Sequence, residues 1–336
     1  MTHVLVVGGA GYIGSHMVLA LDRAGYRVTV LDDLSKGHRE AVLAGRLVVG
    51  GLGDAALLDR LFAADAPAAV MHFAAFIEVG ESVRDPARYY RNNFAATQVL
   101  LDALRAHGVD AFIFSSTAAI FGEPEAVPID EDHPKRPINP YGRSKWMVEQ
   151  LLEDYDQAYG LRAVALRYFN AAGADPQGRI GERHDPETHL IPLVLQAASG
   201  RREAITVFGE DYDTPDGTCI RDYIHVEDLC QAHLLALEHL LAGGGSRRYN
   251  LGNGAGYSVR EVIDTARRVT GRDIPERRGA RRPGDPARLV ADATRITREL
   301  GWAPRYPALE DIVAHAWAWE RRLAERHAFP APRRSR

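Results

Sequence analysis

The chain has 336 residues, more than one ordinary core of roughly 100–200 residues organises, so two lobes are expected. Hydrophobic residues make up 46% and charged residues 26%, the balance of a soluble globular protein, and a net charge of −4 gives no reason to expect a nucleic-acid partner. Two cysteines, Cys219 and Cys230, cannot build a disulfide framework and lack metal-ligand spacing; no signal peptide precedes the first strand and no apolar run is long enough to cross a membrane, so a cytoplasmic protein without a metal is expected.

The first element is Val4-Leu5-Val6-Val7, a continuous apolar run as expected for a parallel strand covered on both faces. Gly8-Gly9-Ala10-Gly11-Tyr12-Ile13-Gly14 follows at once, and a helical pattern carries Met17, Ala20, Leu21 and Ala24 to a stop at Gly25. Strand, glycine turn and helix form the context that gives this motif meaning. Gly8 and Gly11 allow a tight turn close to a pyrophosphate, Gly14 allows helix to pack on strand, and the helix N-terminus offers N–H groups to phosphate. A second strand, Arg27 to Leu31, leads to Asp32, 18 residues past Gly14. A carboxylate there accepts from a ribose 2′-hydroxyl and repels a 2′-phosphate, which favours NAD over NADP; a turn or cap residue is the plainer alternative.

A third strand reads Leu47 to Val49, a helix covers about Ala55 to Phe62, and a fourth strand runs from Ala69 to Phe73, closing on the small Ala74-Ala75. One long helix is predicted from about Asp85 to His107, with Tyr89, Tyr90, Asn92 and Asn93 on it. The fifth strand, Ala111 to Phe114, ends in Ser115-Ser116-Thr117, and the sixth, Ala163 to Leu166, runs into Arg167-Tyr168-Phe169-Asn170. Alternating strands and helices imply a Rossmann-type, doubly wound parallel α/β sheet with right-handed crossovers. Ligands bind beyond the carboxyl ends of such strands, so Gly8–Gly14, Asp32, Ala74, Thr117 and Asn170 can share one crevice. Residues 1–170 are read as the dinucleotide-binding domain and 171–336 mainly as a smaller C-terminal α/β substrate domain, with segments near 219–242 returning to the first.

Between strands five and six, Tyr141-Gly142-Arg143-Ser144-Lys145 opens a helix. Residues four apart share a helix face, so Tyr141 and Lys145 meet beside the strand end that offers Ser116 and Thr117. An ammonium beside a phenol favours the phenolate, turning a group of pKa roughly 10 into a base usable near neutrality. Beyond Asn170 the pattern breaks, with helices at about 191–198, 227–241, 259–270, 294–300 and 309–325, a short strand near Thr206-Val207-Phe208 and an extended run from Thr218 to Val226. Arg277, Arg278, Arg281 and Arg282 make either an anion site or a solvated basic loop, and the final ten residues are expected to fray.

Taken together, the glycine turn, the Ser116-Thr117 strand end, Tyr141 with Lys145, and the runs His72–Ala75, Val79–Val83, Leu166–Asn170, Arg221–Val226 and Arg281–Asp285 resemble the extended short-chain dehydrogenase/reductase family, and within it the UDP-hexose 4-epimerases. The resemblance runs over nearly the whole chain. It implies transient oxidation at C4 of UDP-glucose or UDP-galactose, rotation of the 4-keto sugar and re-reduction, with NAD retained throughout and a homodimer formed through helices near 88–107 and 143–159. It also implies roles. Tyr141 would be the acid/base, Lys145 would hold the nicotinamide ribose and tune Tyr141, and Thr117 would relay the O4 proton. Gly8, Gly11, Tyr12, Ile13, Gly14, Asp32, Phe73, Ala74, Asn93, Ser115 and Tyr168 would bind or line NAD. Asn170, Arg221 and Arg282 would hold the diphosphate by charge-assisted bonds, with Phe208 on the uracil, Asp285 on the uridine ribose and His189, Leu190 and Leu289 about the sugar.

The chain departs from that pattern in places. Thr117 stands where serine is common, Gly51-Leu52 where many relatives have an adenine-binding aspartate, Ile77 where some have a second lysine, and His189 where asparagine often precedes Leu-Ile-Pro. Two rivals are carried. A dehydratase or decarboxylase of the same family needs a carboxylate just after the strand-end hydroxyl, where this chain has Ala118-Ala119 and none until Glu123. An inactive NAD-binding scaffold has no need of Thr117, Tyr141 and Lys145. Leu289 falls four residues after Asp285, at a position that in the resembled enzymes lines the pocket beside the C2 substituent; the plain alternative is that it starts a core strand.

Overall fold

The computed structural model describes residues 1–282 and 285–328, so Pro283, Gly284 and all but the first two residues of the tail on which fraying is expected lie outside the described residues. In chain order the elements are β1 (His3–Val7), α1 (Tyr12–Arg23), β2 (Arg27–Asp32), β3 (Arg46–Val49), α2 (Ala55–Ala64), β4 (Ala69–His72), α3 (Val79–Arg84), α4 (Pro86–Tyr89), α5 (Ala96–Ala106), β5 (Ala111–Thr117), α6 (Pro140–Tyr159), β6 (Arg162–Tyr168) and β7 (Asn170–Ala172). They continue as α7 (Leu190–Ser199), β8 (Ile205–Phe208), β9 (Ile220–Arg221), β10 (Tyr223–His225), α8 (Val226–Leu241), β11 (Arg247–Leu251), β12 (Tyr257–Ser258), α9 (Val259–Thr270), β13 (Glu276–Gly279), β14 (Arg288–Leu289), α10 (Thr294–Leu300) and α11 (Leu309–Ala328).

Seven parallel strands form the central sheet in the order β11-β6-β5-β4-β1-β2-β3. Strand order reverses between β1 and β4, which opens the crevice where doubly wound sheets bind ligands. Register brings the strand ends level: Val7 pairs with both Leu31 and His72, so Gly8, Asp32 and Phe73 emerge side by side. One face buries Met17, Val18 and Leu21 of α1 with Leu229, Ala236 and Leu240 of α8; the other buries Leu58, Leu101, Leu104, Val148 and Leu152 of α2, α5 and α6. Burial on both faces is why these strands read as unbroken apolar runs. A third core gathers Ile191, Val194, Val262, Ile263, Ile312 and Val313 of α7, α9 and α11.

Local signals set the helix ends. Asn139 caps α6 by accepting from Gly142 N, Pro140 occupies the first turn where its missing N–H costs nothing, and Gly160 ends the helix at φ 73°. Ser258 and Glu261 form a reciprocal capping box on α9.

Three sequence expectations need correction. The single helix over 85–107 is instead α4, a π-helical turn over Tyr90–Ala95, and α5, with α3 preceding them. The wide turn swings Asn93 inward, where it is 2% exposed, and such turns concentrate at functional sites. Periodicity counts apolar residues and cannot register one extra residue per turn. The seventh strand, β11, was not anticipated at all. Five residues with two arginines look like loop, yet Tyr249, Asn250 and Leu251 are fully buried against β6. Strands five and six also run on past their apolar stretches to Thr117 and Tyr168.

Candidate active site

The glycine turn is shaped for close approach. Gly8 has φ +81°, and a Cβ there would lie 2.5 Å from Ala74 N, so only glycine lets the first turn touch the end of β4. A Cβ on Gly14 would lie 2.1 Å from Gly8 O, while one on Gly11 would meet nothing closer than 3.4 Å. Gly11 is the N-cap of α1 and supplies no side chain to cap it, so the leading N–H groups of Tyr12 and Ile13 face the crevice end of the helix. The adjoining carboxylate of Asp32 is buried and accepts from Ala10 N (2.9 Å) and Leu34 N (2.8 Å). Burial pushes its pKa up from the ordinary value. An anion-binding helix end, a cradle that tolerates no Cβ and a buried carboxylate at the end of β2 fit a dinucleotide with an unphosphorylated ribose.

Across the crevice, β5 and β6 end together, Thr117 opposite Tyr168. Their polar side chains divide between front and back. Ser115 Oγ is hydrogen-bonded to the Tyr168 hydroxyl. Ser116 turns away from the crevice and donates to Glu149 Oε1 (2.5 Å), so it does not join Thr117 as expected. Thr117 Oγ1 accepts from Ala119 N (3.1 Å) and faces Tyr141, which is partly buried on the first turn of α6. Asn93 holds this corner. Its amide exchanges two 2.9 Å bonds with the Phe76 backbone and donates to Ser144 Oγ (3.2 Å).

Tyr141 and Lys145 share a helix face as their spacing requires, and the ammonium is bonded to the end of β5 rather than to the phenol. Lys145 Nζ donates to Ser115 O (2.8 Å) and lies 4.8 Å from the Phe114 ring centre. Burial lifts the Tyr141 phenol above its ordinary value, against a smaller opposing pull from the Thr117 hydroxyl. Burial likewise lowers Lys145 to about 7, with Glu149 one turn on working the other way. Spacing alone placed the two residues but could not say where a long flexible side chain points.

The remaining predicted contacts are placed as follows. Asn170 Nδ2 donates to Asp222 O (2.9 Å) where β7 pairs with β10. Arg221 pairs with Asp285, so the two groups read as diphosphate and ribose ligands face each other here. The Arg282 guanidinium lies 4.2 Å over the Phe208 ring, bringing a residue read as a diphosphate ligand onto the one read as facing the uracil. Arg277 and Arg278 lie on β13 rather than in a loop, and their exposed side chains pair with Glu203 and Glu210. Leu289 packs against the small buried cluster of Ala118, Ile120, Phe121 and Ile129, which begins just after Thr117. Leu190 opens α7, but the His189 ring turns to Glu182 and Glu187 rather than to the crevice. Those carboxylates raise the imidazole to about 10, and they raise His184 to about 9. Phe73 meets the His233 ring at 4.9 Å, and Tyr12 donates to Gly173 O (2.8 Å). The buried pair Glu149–Arg167 behind Ser116 was missed by sequence reasoning; the signal was an arginine inside an otherwise apolar strand.

The chain is similar to several UDP-glucose 4-epimerases. A curated UDP-glucose 4-epimerase from Rhizobium leguminosarum bv. trifolii is 55% identical over 316 residues, covering 94% of this chain and 96% of that one. The crystal structure of UDP-glucose 4-epimerase from Brucella ovis in complex with NAD is 53% identical and superposes with a TM-score of 0.92, covering 94% of this chain and 98% of that one. The enzyme from Bifidobacterium longum in complex with NAD+ and UDP is 39% identical with a TM-score of 0.91, covering 96% and 98%. The NAD dependent epimerase/dehydratase family matches residues 4–252, and this chain belongs to that family.

Proposed function

We propose that the chain interconverts UDP-glucose and UDP-galactose by NAD-dependent inversion at C4 of the sugar. The observation that carries this reading is Tyr141 facing Thr117 at the end of β5, across one crevice from the glycine turn and Asp32. NAD, when bound, accepts a hydride from the sugar carbon and gives it back. Tyr141 as phenolate takes the O4 proton, directly or through Thr117, while the C4 hydride leaves, producing a 4-keto sugar. Anchored through UDP, the ketone turns over; the hydride returns to its other face and Tyr141 returns the proton. Binding energy from the remote UDP holds the intermediate during that rotation. Lys145 would hold the nicotinamide ribose and favour the Tyr141 phenolate against the burial that raises it, and Asn93, Ser115 and Tyr168 would line the walls. Ala118-Ala119 after Thr117 supply no acid for elimination, which disfavours a dehydratase. Incubation with UDP-galactose and chromatography of the products decides: UDP-glucose should form, and release of a dehydrated or decarboxylated sugar, or no turnover, overturns the reading.

Asp32→Ala should weaken NAD and relieve the bar to NADP, because the carboxylate both accepts from the ribose and repels a 2′-phosphate. Titrating both cofactors against wild type and variant checks this; wild type that works as well with NADP as with NAD refutes it. Sugar choice rests on Leu289. Its packing against the cluster that begins at Ala118, next to Thr117, supports a place in the pocket wall. Leucine is intermediate in size and offers an acetamide no hydrogen bond, so weak activity on UDP-N-acetylglucosamine is expected beside the main pair. Leu289→Tyr should abolish the N-acetyl activity and Leu289→Ala raise it, within the 10–200-fold that about a methylene or two is worth. An unchanged ratio of the two activities in all three proteins removes Leu289 from the pocket.

The same reading includes a homodimer through the α5 and α6 faces, which sedimentation of the holoenzyme tests. A cytoplasmic location accords with two buried, unpaired cysteines. Among the described residues no helix is long and apolar enough to cross a membrane.

A further inference from the structure

Between β7 and α7 the chain runs through Glu182-Arg183-His184-Asp185-Pro186-Glu187-Thr188-His189. Two imidazoles and three carboxylates lie within eight residues, and the fold closes both imidazoles and two of the carboxylates on one point. One ligand atom from each of Glu182, His184, Glu187 and His189 lies within 4.8 Å of all the others. His189 Nδ1 is 2.6 Å from Glu182 Oε1 and 3.3 Å from Glu187 Oε1, and His184 Nδ1 is 3.2 Å from Glu182 Oε1 and 3.7 Å from Glu187 Oε2.

A second observation is independent of the residue types. Glu182 is 7% exposed, and its Oε1, with Nδ1 of His184 and Nδ1 of His189, is buried without a hydrogen bond despite those short separations. Buried polar atoms this close are ordinarily hydrogen-bonded to one another. With no ion bound, the two carboxylates hold protons on the two imidazoles; a cation that displaces those protons would take all four atoms as ligands.

We infer that Glu182, His184, Glu187 and His189 form a four-coordinate site for a divalent transition-metal ion, zinc above all. Zinc bonds of about 2.0–2.2 Å in a tetrahedron set ligand atoms about 3.3–3.5 Å apart, in the middle of the observed separations. Two nitrogen and two oxygen donors suit zinc better than calcium or magnesium, which take oxygen. Four protein ligands leave no open position, so the site is structural rather than catalytic. Glu187 is oriented for it: Oε1 accepts from Thr188 N (2.8 Å) and His189 N (3.0 Å), which leaves Oε2 for the ion. The 21% exposure of the His184 side chain supplies the entry path.

The ion would staple a strap beside the glycine turn. Trp319 Nε1 holds Glu182 O (2.9 Å) at one end, and His189 is the N-cap of α7 at the other. Between them Arg183 O meets His38 Nε2 (3.1 Å) and Asp185 O accepts from Lys36 Nζ (3.2 Å), both on the loop that follows Asp32. His184 also stands edge-on to Tyr12 at 6.4 Å.

The test uses the untagged full chain, stripped with EDTA, re-equilibrated with zinc and freed of excess. Elemental analysis should find one zinc per chain in wild type and a clear loss in His184→Ala/Glu187→Gln. Cobalt in place of zinc should give the strong visible bands of a four-coordinate ion. Arg183 is exposed within the strap, so zinc should also protect the Arg183–His184 bond from trypsin, by about 100-fold when free zinc is about 100 times its Kd. No zinc retained by wild type, or equal retention by a folded double variant, overturns the site. Should the double variant not fold, wild type alone decides: weak six-coordinate cobalt bands, or cleavage after Arg183 that zinc does not slow, overturns it equally.

Discussion

Replacing Tyr141 with phenylalanine is expected to lower epimerisation by roughly 10²–10⁴-fold while NAD and UDP still bind. The substitution removes one oxygen and little volume. The wall around it is held by other contacts: Asn93 by Phe76 and Ser144, and Ser115 by Tyr168. What goes is the only group in the proposed cycle that takes the O4 proton and returns it. Thr117 is no substitute, because it can pass a proton to a base but cannot be one near neutrality. Turnover of UDP-galactose, with NAD and UDP affinities measured on the same protein, checks the prediction. Near-normal turnover would sink the assignment, and a parallel loss of UDP binding would mean that Tyr141 positions substrate rather than moving a proton.

The largest expected effect on stability lies behind the site. Arg167 and Glu149 are 1% and 0% exposed and make a forked pair, Nη2 to Oε2 at 2.6 Å and Nε to Oε1 at 3.0 Å. Ser116 donates to the same carboxylate, and Arg167 Nη1 reaches Glu131 O (3.3 Å). Arg167→Met leaves Glu149 charged and buried, with Ser116 its one remaining close donor and Arg248 Nε 3.6 Å away. Stranding one member of such a pair costs about 3–5 kcal/mol, whereas replacing both with apolar residues of similar volume is often neutral. Arg167→Met should therefore shift the urea midpoint far more than Arg167→Met with Glu149→Leu. A single variant within about 1 kcal/mol of wild type, or a double variant no better than the single, would show that the pair is not what holds the strand ends. The double variant should also free the Ser116 hydroxyl and lower Lys145 further, since Glu149 is the charge that favours its protonated form.

Much was legible from sequence because it is local. A run such as Val4–Val7 declares a strand buried on both faces, and the glycines after it declare a turn, since only a residue without Cβ fits 2.5 Å from the next backbone. Tyr141 and Lys145 follow from helical period, and Thr117 and Asp32 from their places at strand ends. The sheet positions Thr117 and Asp32 through register, which follows from apolar runs of matched length, and α6 carries the other two. Where tertiary contacts outweigh local preference, the sequence was silent or misleading. Strand β11 forms because β6 offers an open edge, with Tyr249 and Leu251 buried on its far side. The helix over 85–107 breaks because Asn93 has backbone partners at Phe76 to reach. Lys145 turns to Ser115 O, Ser116 to Glu149, and His189 to Glu182 and Glu187. The chain by itself determined which segments end at the crevice. The direction of each long or polar side chain was decided only by the fold, because a hydrogen bond or ion pair depends on what approaches from other elements, and periodicity carries no record of that.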